Sequence, residues 1–180
     1  MPTLFSLAED IRKCTACPLY KKATLAVPGE GMRDAKIIIV GEAPDEEEDR
    51  QGLPFLGKSG TFLDKMLELT KLDREKVFIS NIVKHRPPQN RTPKSGEIKT
   101  CKELWLDKQI EMLKPKLIII LGRIALKALT NETSIEKFHG KVIERKSQNY
   151  FVTFHPSAAL RSPEIRKKME DDFKKLRKLI

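Results

Sequence analysis

Apolar residues along the chain fall into two patterns. Three short runs are apolar and rich in β-branched residues: KIIIVG from Lys36, VFISN from Val77 and KLIIILG from Lys116. None alternates with polar residues, as expected of strands covered on both faces of a parallel sheet. A shorter run, YFVTF from Tyr150, reads the same way. Between these runs apolar residues recur at spacings of three and four, the period of one helical face. One such stretch carries Phe62, Leu63, Met66, Leu67 and Leu69 behind Ser59, a candidate N-cap. Another carries Ile98, Cys101, Leu104, Trp105, Ile110 and Leu113 behind Ser95. Gly122 opens a short helix through Ile124, Ala125 and Leu129, and a C-terminal helix starts near Ser162-Pro163. Strand and helix in alternation predict an α/β sandwich with a mostly parallel sheet.

The 180 residues suit a single domain, 1–180, and no linker, repeat or low-complexity tract divides them. The longest apolar runs, Ile37 to Val40 and Leu117 to Leu121, are far too short to span a bilayer. The N-terminal MPTLFSLAEDIRKC lacks the long apolar core of a secretion signal. These features predict a soluble, intracellular protein.

Charge narrows the partners. The formal net charge is +10, and it is unevenly spread. From Lys84 to Lys102 six basic residues face one acidic residue, Glu97. From Arg161 to Ile180 eight basic residues face four acidic ones. A basic excess gathered in one loop and one helix suits a polyanion, most simply nucleic acid. A thermophile surface rich in Lys and Glu fits the same composition. Opposite in sign stands an acidic run from Asp45 to Asp49.

In a parallel sheet, ligands bind beyond the carboxyl ends of the strands. The segments there are GEAPDEEED, NIVKHRPPQNRTP, LGR and HPS. Gly41 permits a sharp turn and close approach of a ligand. Glu42 and Glu48 are candidates for positioning a water or stabilising a cation, whereas Asp45, Glu46 and Glu47 read as a solvated acidic loop. Phe55, between Pro54 and Leu56-Gly57, is either a stacking platform for a flat ligand or a plug on the core. Asn81 ends the second strand, where an amide offers one donor and one acceptor to a pyrimidine edge or serves as a turn residue. Asn90 carries the same two readings. His155 ends the fourth strand as a candidate acid, base or donor. The helix near Ser157 has amides that suit a phosphate. His139 has no supporting constellation and reads as a loop residue.

Three cysteines do not make a disulfide framework in a cytosolic chain. Cys14 and Cys17 form a C-x-x-C, Cys101 lies far off, and His85 precedes it by sixteen residues. A Cys₃His set suits zinc, and it also suits an iron–sulfur cluster in which His replaces one Cys.

Taken in order, GEAPDEEEDRQGLPFLGKSG, NIVKHRPPQNRTP, CKELWLDKQIEMLKPKLIIILG and FHPS resemble the iron–sulfur uracil-DNA glycosylases of thermophilic prokaryotes, often called family 4. The likeness runs from Cys14 to beyond His155. It implies a three-layer α/β/α sandwich with a central four-stranded parallel sheet, and hydrolysis of the N-glycosidic bond of deoxyuridine in DNA. It implies that Gly41, Glu42 and Ala43 line the uracil pocket, that Phe55 stacks on the flipped base, and that Asn81 reads its polar edge. By the same likeness Asn90 lies near the attacked sugar, His155 donates to the uracil O2, and Glu48 is a further candidate for positioning water. A flipped base needs such a platform and such an edge reader. A donor at the departing base lowers the barrier electrostatically.

Two departures stand out. The family commonly has Gly where this chain has Asp45. The family usually reads VKC where this chain reads VKH. The resemblance therefore implies a [4Fe–4S] cluster held by Cys14, Cys17, His85 and Cys101, structural in role, against a zinc ion or a cluster with a non-protein fourth ligand. VKH also occurs in related proteins that capture uracil-DNA covalently through a second His in an inserted basic loop. Here that loop lacks the insertion and has Asn90, and an amide is a poor nucleophile. Hydrolysis with free product is expected, and a binder that traps uracil-DNA without turnover is the alternative. The likeness further implies a monomer in a prokaryotic cytoplasm, associated with the nucleoid. Arg86, Arg91, Arg161 and Arg166 are candidate phosphate contacts. No motif for a sliding-clamp contact is legible.

Overall fold

The structure, a computed structural model, describes residues 3–180. Its strands are β1 (Glu30–Gly31), β2 (Ile37–Gly41), β3 (Phe78–Asn81), β4 (Leu117–Leu121), β5 (Lys141–Arg145) and β6 (Gln148–Thr153). They form one sheet in the order β1-β3-β2-β4-β6-β5. The four apolar runs of the sequence are the inner strands, and each pairs with its neighbour in parallel. The expected four-stranded sheet is thus corrected to six. The short β1 and the hairpin strand β5 run antiparallel at the two edges. Of β5 only Ile143 is buried, so it lacks the continuous apolar run that marks the inner strands.

Helices are α1 (Leu4–Arg12), α2 (Glu46–Gln51), α3 (Gly57–Thr70), α4 (Ser95–Cys101), α5 (Asp107–Leu113), α6 (Arg123–Thr130), α7 (Ile135–Phe138), α8 (Pro156–Arg161) and α9 (Pro163–Leu176). The strands are apolar on both faces because helices cover both. Ile38, Val40, Ile118, Ile120 and Val152 pack with Cys101, Leu106, Leu113 and Leu126 on one side. Ile39, Ile79, Ile119 and Phe151 pack with Leu63, Leu67, Met169 and Phe173 on the other. Truncating one of these fully buried isoleucines to Ala costs about 2–5 kcal/mol. Among the described residues no helix is long and apolar enough to cross a membrane.

Local signals shifted in places. Ser59 does not cap α3, which starts at Gly57 behind Leu56. Ser95 is the first residue of α4, and the Lys94 N–H donates instead to Glu97 at 2.7 Å. The long helix expected behind Ser95 is interrupted by a π-helical turn, Lys102–Leu106. His139 is no idle loop residue. Its Nδ1 lies 3.0 Å from the fully buried Asp172, which also accepts from Thr153 Oγ1 at 2.8 Å, so α9 is tied to the sheet.

Register positions the site. Gly41 and Asn81 are partners at the carboxyl ends of β2 and β3. Gly122 follows β4 and donates its N–H to Thr153 O, which sets His155 beside it.

Candidate active site

At those carboxyl ends lies a cavity of about 450 Å³ whose walls include Glu42, Ala43, Glu48, Phe55, Asn90 and His155. Gly41 and Asn81 adjoin Phe55, one of its walls. A Cβ on Gly41 would fall 2.5 Å from Asn81 Oδ1 and 2.5 Å from Phe55 Cζ. The missing side chain is what lets the amide and the ring approach. Asn81 is buried, yet among the described residues neither its Oδ1 nor its Nδ2 has a hydrogen-bond partner. Such an orphaned amide forfeits about 1–3 kcal/mol of desolvation, and most buried polar groups avoid it. It is primed to bind a group that supplies one acceptor and one donor.

His155 sits half-buried across from Phe55, ring centroids 5.7 Å apart. Its Nδ1 accepts the Ser157 backbone N–H at 3.2 Å and lies 2.8 Å from Ser157 Oγ. An amide N–H only donates, so Nδ1 keeps its lone pair and the neutral ring carries its proton on Nε2. Burial pushes the imidazole down to about 4, and Arg161 acts in the same direction. At neutral pH His155 is therefore an uncharged Nε2–H donor. The same contacts correct the phosphate reading of the helix near Ser157. Pro156 has no N–H, Ser157 N–H is spent on Nδ1, and Ala158 N–H donates to His155 O at 2.9 Å.

The acidic run is not solvated throughout. Asp45 caps α2, accepting from Glu47 and Glu48 N–H at 3.0 Å each. Asp45 thus closes a capping box, with Glu48 accepting the Asp45 N–H at 2.6 Å. The other oxygen of Glu48 accepts from Phe55 N–H. Phe55 adopts φ of +52°, a left-handed conformation unfavourable for an aromatic residue, and this bond helps to hold it there. Burial outweighs these donors and pushes Glu48 up to about 7. Glu42 is also raised by burial, with Arg123 pulling the other way. Among the described residues the Glu42 carboxylate has no hydrogen-bond partner, so it is the freer of the two acids.

Asn90 lines the cavity in a left-handed conformation, φ +54°, and its Oδ1 accepts from Arg86 Nε at 2.7 Å. Of the four candidate phosphate contacts, Arg86 also reaches Glu46, and Arg91 grips Glu97 through two bonds. Arg166 stacks over Phe62. Arg161 lines the cavity without an ion pair among the described residues.

Cys14, Cys17 and Cys101 stand near one another: burial raises the Cys17 thiol, helped by Cys14, and burial pushes the Cys101 thiol up to about 11, helped by both of the others. Two sulfurs already accept protein donors: Trp105 Nε1–H reaches Cys14 Sγ at 3.1 Å, and Lys84 N–H reaches Cys101 Sγ at 3.2 Å. His85 is buried and shares a cavity with Cys14. Among the described residues no three His, Cys, Asp or Glu side chains converge on a point that one ion would occupy. The expected four-ligand set is therefore not gathered as a single-ion site.

Several residues escaped the sequence. Lys84, counted with the basic loop, is fully buried. Ser157 fixes the histidine tautomer, and Trp105 reaches its cysteine from the π-turn. The π-turn that starts one residue past Cys101 is invisible to a 3.6-residue period.

Comparison with known proteins follows this geometry. Residues 28–178 match the family described as "Uracil DNA glycosylase superfamily". The chain is 44% identical to the type-4 uracil-DNA glycosylase of Sulfurisphaera tokodaii, over 99% of this chain and 86% of that protein. It is 43% identical to the type-4 enzyme of Saccharolobus solfataricus, over 100% and 88% respectively. It is 39% identical to that of Archaeoglobus fulgidus, over 99% and 94%.

Proposed function

The chain belongs to the uracil-DNA glycosylase superfamily, and from that premise we propose that it releases uracil from DNA by hydrolysing the N-glycosidic bond of deoxyuridine, leaving an abasic site. The observation that carries this reading is the buried, unpartnered Asn81 amide beside Phe55. Its NH₂ suits a uracil carbonyl and its Oδ1 suits the ring N–H. Cytosine presents an amino group and a bare ring nitrogen, and would leave both groups of Asn81 unpaired.

In this reading the flipped uracil lies on Phe55 and is read by Asn81. As the C1′–N1 bond breaks, its electron pair passes to the base, and His155 Nε2–H donates to O2, where the negative charge gathers. A water adds to C1′ and its proton passes to Glu42, whose carboxylate is free to accept it. Asn90 faces the sugar through its NH₂ group. Glu48 holds the Phe55 loop, and Gly41 and Ala43 form the wall against the base. Arg161 meets a phosphate at the mouth. Asn90 supplies an amide where covalent capture would need a nucleophile, which favours hydrolysis over trapping.

Cys14, Cys17, Cys101 and His85 would hold a [4Fe–4S] cluster, with His85 in the fourth position. A thiol-rich set that does not converge on one ion suits a group with several metal atoms, and the two N–H···S bonds are of the kind that steady metal-bound sulfurs. Through such a group Cys14 and Cys17 of the N-terminal segment would be tied to Cys101 of α4 and to His85, and its role would be structural.

The test is a single-turnover assay on a labelled uracil-containing oligonucleotide, resolved on a denaturing gel with and without alkali. An alkali-labile break establishes base release. A detergent-stable protein–DNA band in its place would establish trapping and overturn the hydrolytic reading.

A further inference from the structure

Lys84 is fully buried, and its three acceptors have no negative charge among them. Its Nζ donates to Ser80 Oγ at 2.6 Å, Asn81 O at 2.9 Å and Gln109 Oε1 at 2.8 Å. Gln109 is anchored in turn, donating from Nε2 to Pro28 O at 2.7 Å. The backbone of Lys84 is held at both ends, its N–H by Cys101 Sγ and its carbonyl by Val27 N–H at 2.7 Å. Burying an ammonium without a carboxylate is expensive even when every proton is bonded. A core position beside a parallel strand would be filled more cheaply by Leu or Met.

What the lysine does there is specific. Asn81 is the last residue of β3, and the peptide that follows it is still tied to β2, Ile82 N–H donating to Gly41 O at 2.9 Å. Among the described residues Lys84 Nζ is the side-chain donor to the Asn81 carbonyl, while the Asn81 side chain itself has no partner. An amide that must meet a base edge with both its groups needs a fixed backbone, because no side-chain contact orients it. We propose that Lys84 is a positioning residue for base recognition, fixing the peptide of Asn81 and bracing it against Gln109 on α5 and the Cys101 end of α4. This deepens the reading above and rests on Asn81 as the base reader.

The test measures the affinity of the intact, metal-loaded protein for free uracil and for a duplex bearing an abasic-site analogue. Lys84→Met keeps the length and volume of the side chain and removes its donors. Uracil affinity falls by about tenfold in this variant, the scale of one lost buried hydrogen bond, while abasic-duplex affinity stays within about twofold. Combined with Asn81→Ala, it causes no further loss of uracil affinity, because both act on one contact. A merely structural lysine would lower both affinities together and add to Asn81→Ala. Should Lys84→Met fail to fold, Gln109→Met removes one brace and lowers uracil affinity by about threefold, and Gln109→Glu, which keeps the acceptor, restores it. Unchanged uracil affinity in the folded variants, with Asn81→Ala still defective, overturns the role of Lys84 alone. Unchanged affinity in Asn81→Ala itself overturns the base-reader assignment beneath it.

Discussion

Ser157 donates its backbone N–H to Nδ1 of His155 at 3.2 Å, across one intervening proline. A donor that cannot turn into an acceptor settles the tautomer without help from a carboxylate. Burial then keeps the ring neutral down to a pKa of about 4. With only three histidines in the chain, ring carbon and nitrogen resonances can be assigned and titrated by NMR. His155 should keep its proton on Nε2 and show no titration between pH 5 and 8; a midpoint near 6.5 would contradict the geometry. His155→Ala should slow uracil release by about 10- to 1000-fold with little change in DNA affinity.

Glu48 and His155 should pull the pH dependence of stability in opposite directions. The folded pKa of His155 lies below its unfolded value, so the unfolded chain takes up a proton first as pH falls. Stability is then lost as pH drops from about 6.5 towards 4. The folded pKa of Glu48 is raised to about 7, so its contribution is fully present below the unfolded value near 4.5 and is lost as pH rises through 7. Each span is on the order of 3 kcal/mol. Urea denaturation between pH 4.5 and 8 should give a flatter curve for the wild type than for either variant. Glu48→Gln should weaken towards acid and His155→Asn towards neutral pH. Parallel curves for all three proteins would refute both assignments.

Asn81 should show that function is held against stability. Its amide makes no protein hydrogen bond, so removing it breaks none. Asn81→Ala should leave the protein as stable as the wild type, or more stable by about 1 kcal/mol, from denaturant midpoints. Excision should nevertheless fall by about 100-fold or more. A clear loss of stability would mean that the amide has a structural partner.

What could be read from the chain followed from local pattern, and what could not depended on distant contacts. The inner strands announced themselves because both faces are covered. β1 and β5 did not, because a two-residue edge and a strand with one buried residue carry no apolar signature. Gly41, Asn81 and His155 were legible because each ends or follows a strand, and Phe55 because it stands in a loop between Pro54 and Leu56-Gly57. Lys84 was misplaced among basic surface residues, because Gln109, one of its acceptors, is 25 positions away. His139 was left without a role for the same reason, since Asp172 is 33 positions away. Asp45 was read as solvated because a capping box looks, in sequence, like any acidic run.

Gly41 offers a test of how closely the base reader and the platform must approach. A methyl group there would meet Asn81 Oδ1 and Phe55 Cζ, both at 2.5 Å. The sheet and Lys84 together hold the Asn81 backbone and Glu48 restrains Phe55, so neither can yield easily. Gly41→Ala should reduce excision by about 100-fold, a scale already reached by a 1 Å misplacement of reacting groups. Duplex affinity measured by fluorescence anisotropy should hardly change, since the substitution alters none of the residues proposed to meet phosphates. Full activity in this variant would show that Asn81 and Phe55 do not close on the base together.

His85 decides what the cysteine-bearing site holds. Metal analysis of the purified protein separates the readings, because a [4Fe–4S] cluster brings iron with matching sulfide and a brown colour, and a zinc site brings neither. If His85 is the fourth ligand, His85→Cys should retain iron at the wild-type ratio, since thiolate suits iron at least as well as imidazole. His85→Ala should lower the ratio and bleach faster in air. Chelation should loosen the segment bearing Cys14 and Cys17, detectable as proteolysis before Pro28, while α9 stays protected by its bonds through Asp172 to His139 and Thr153. If His85→Ala keeps full iron and air stability, the fourth position belongs to something other than this histidine, and the three thiols hold the cluster without it.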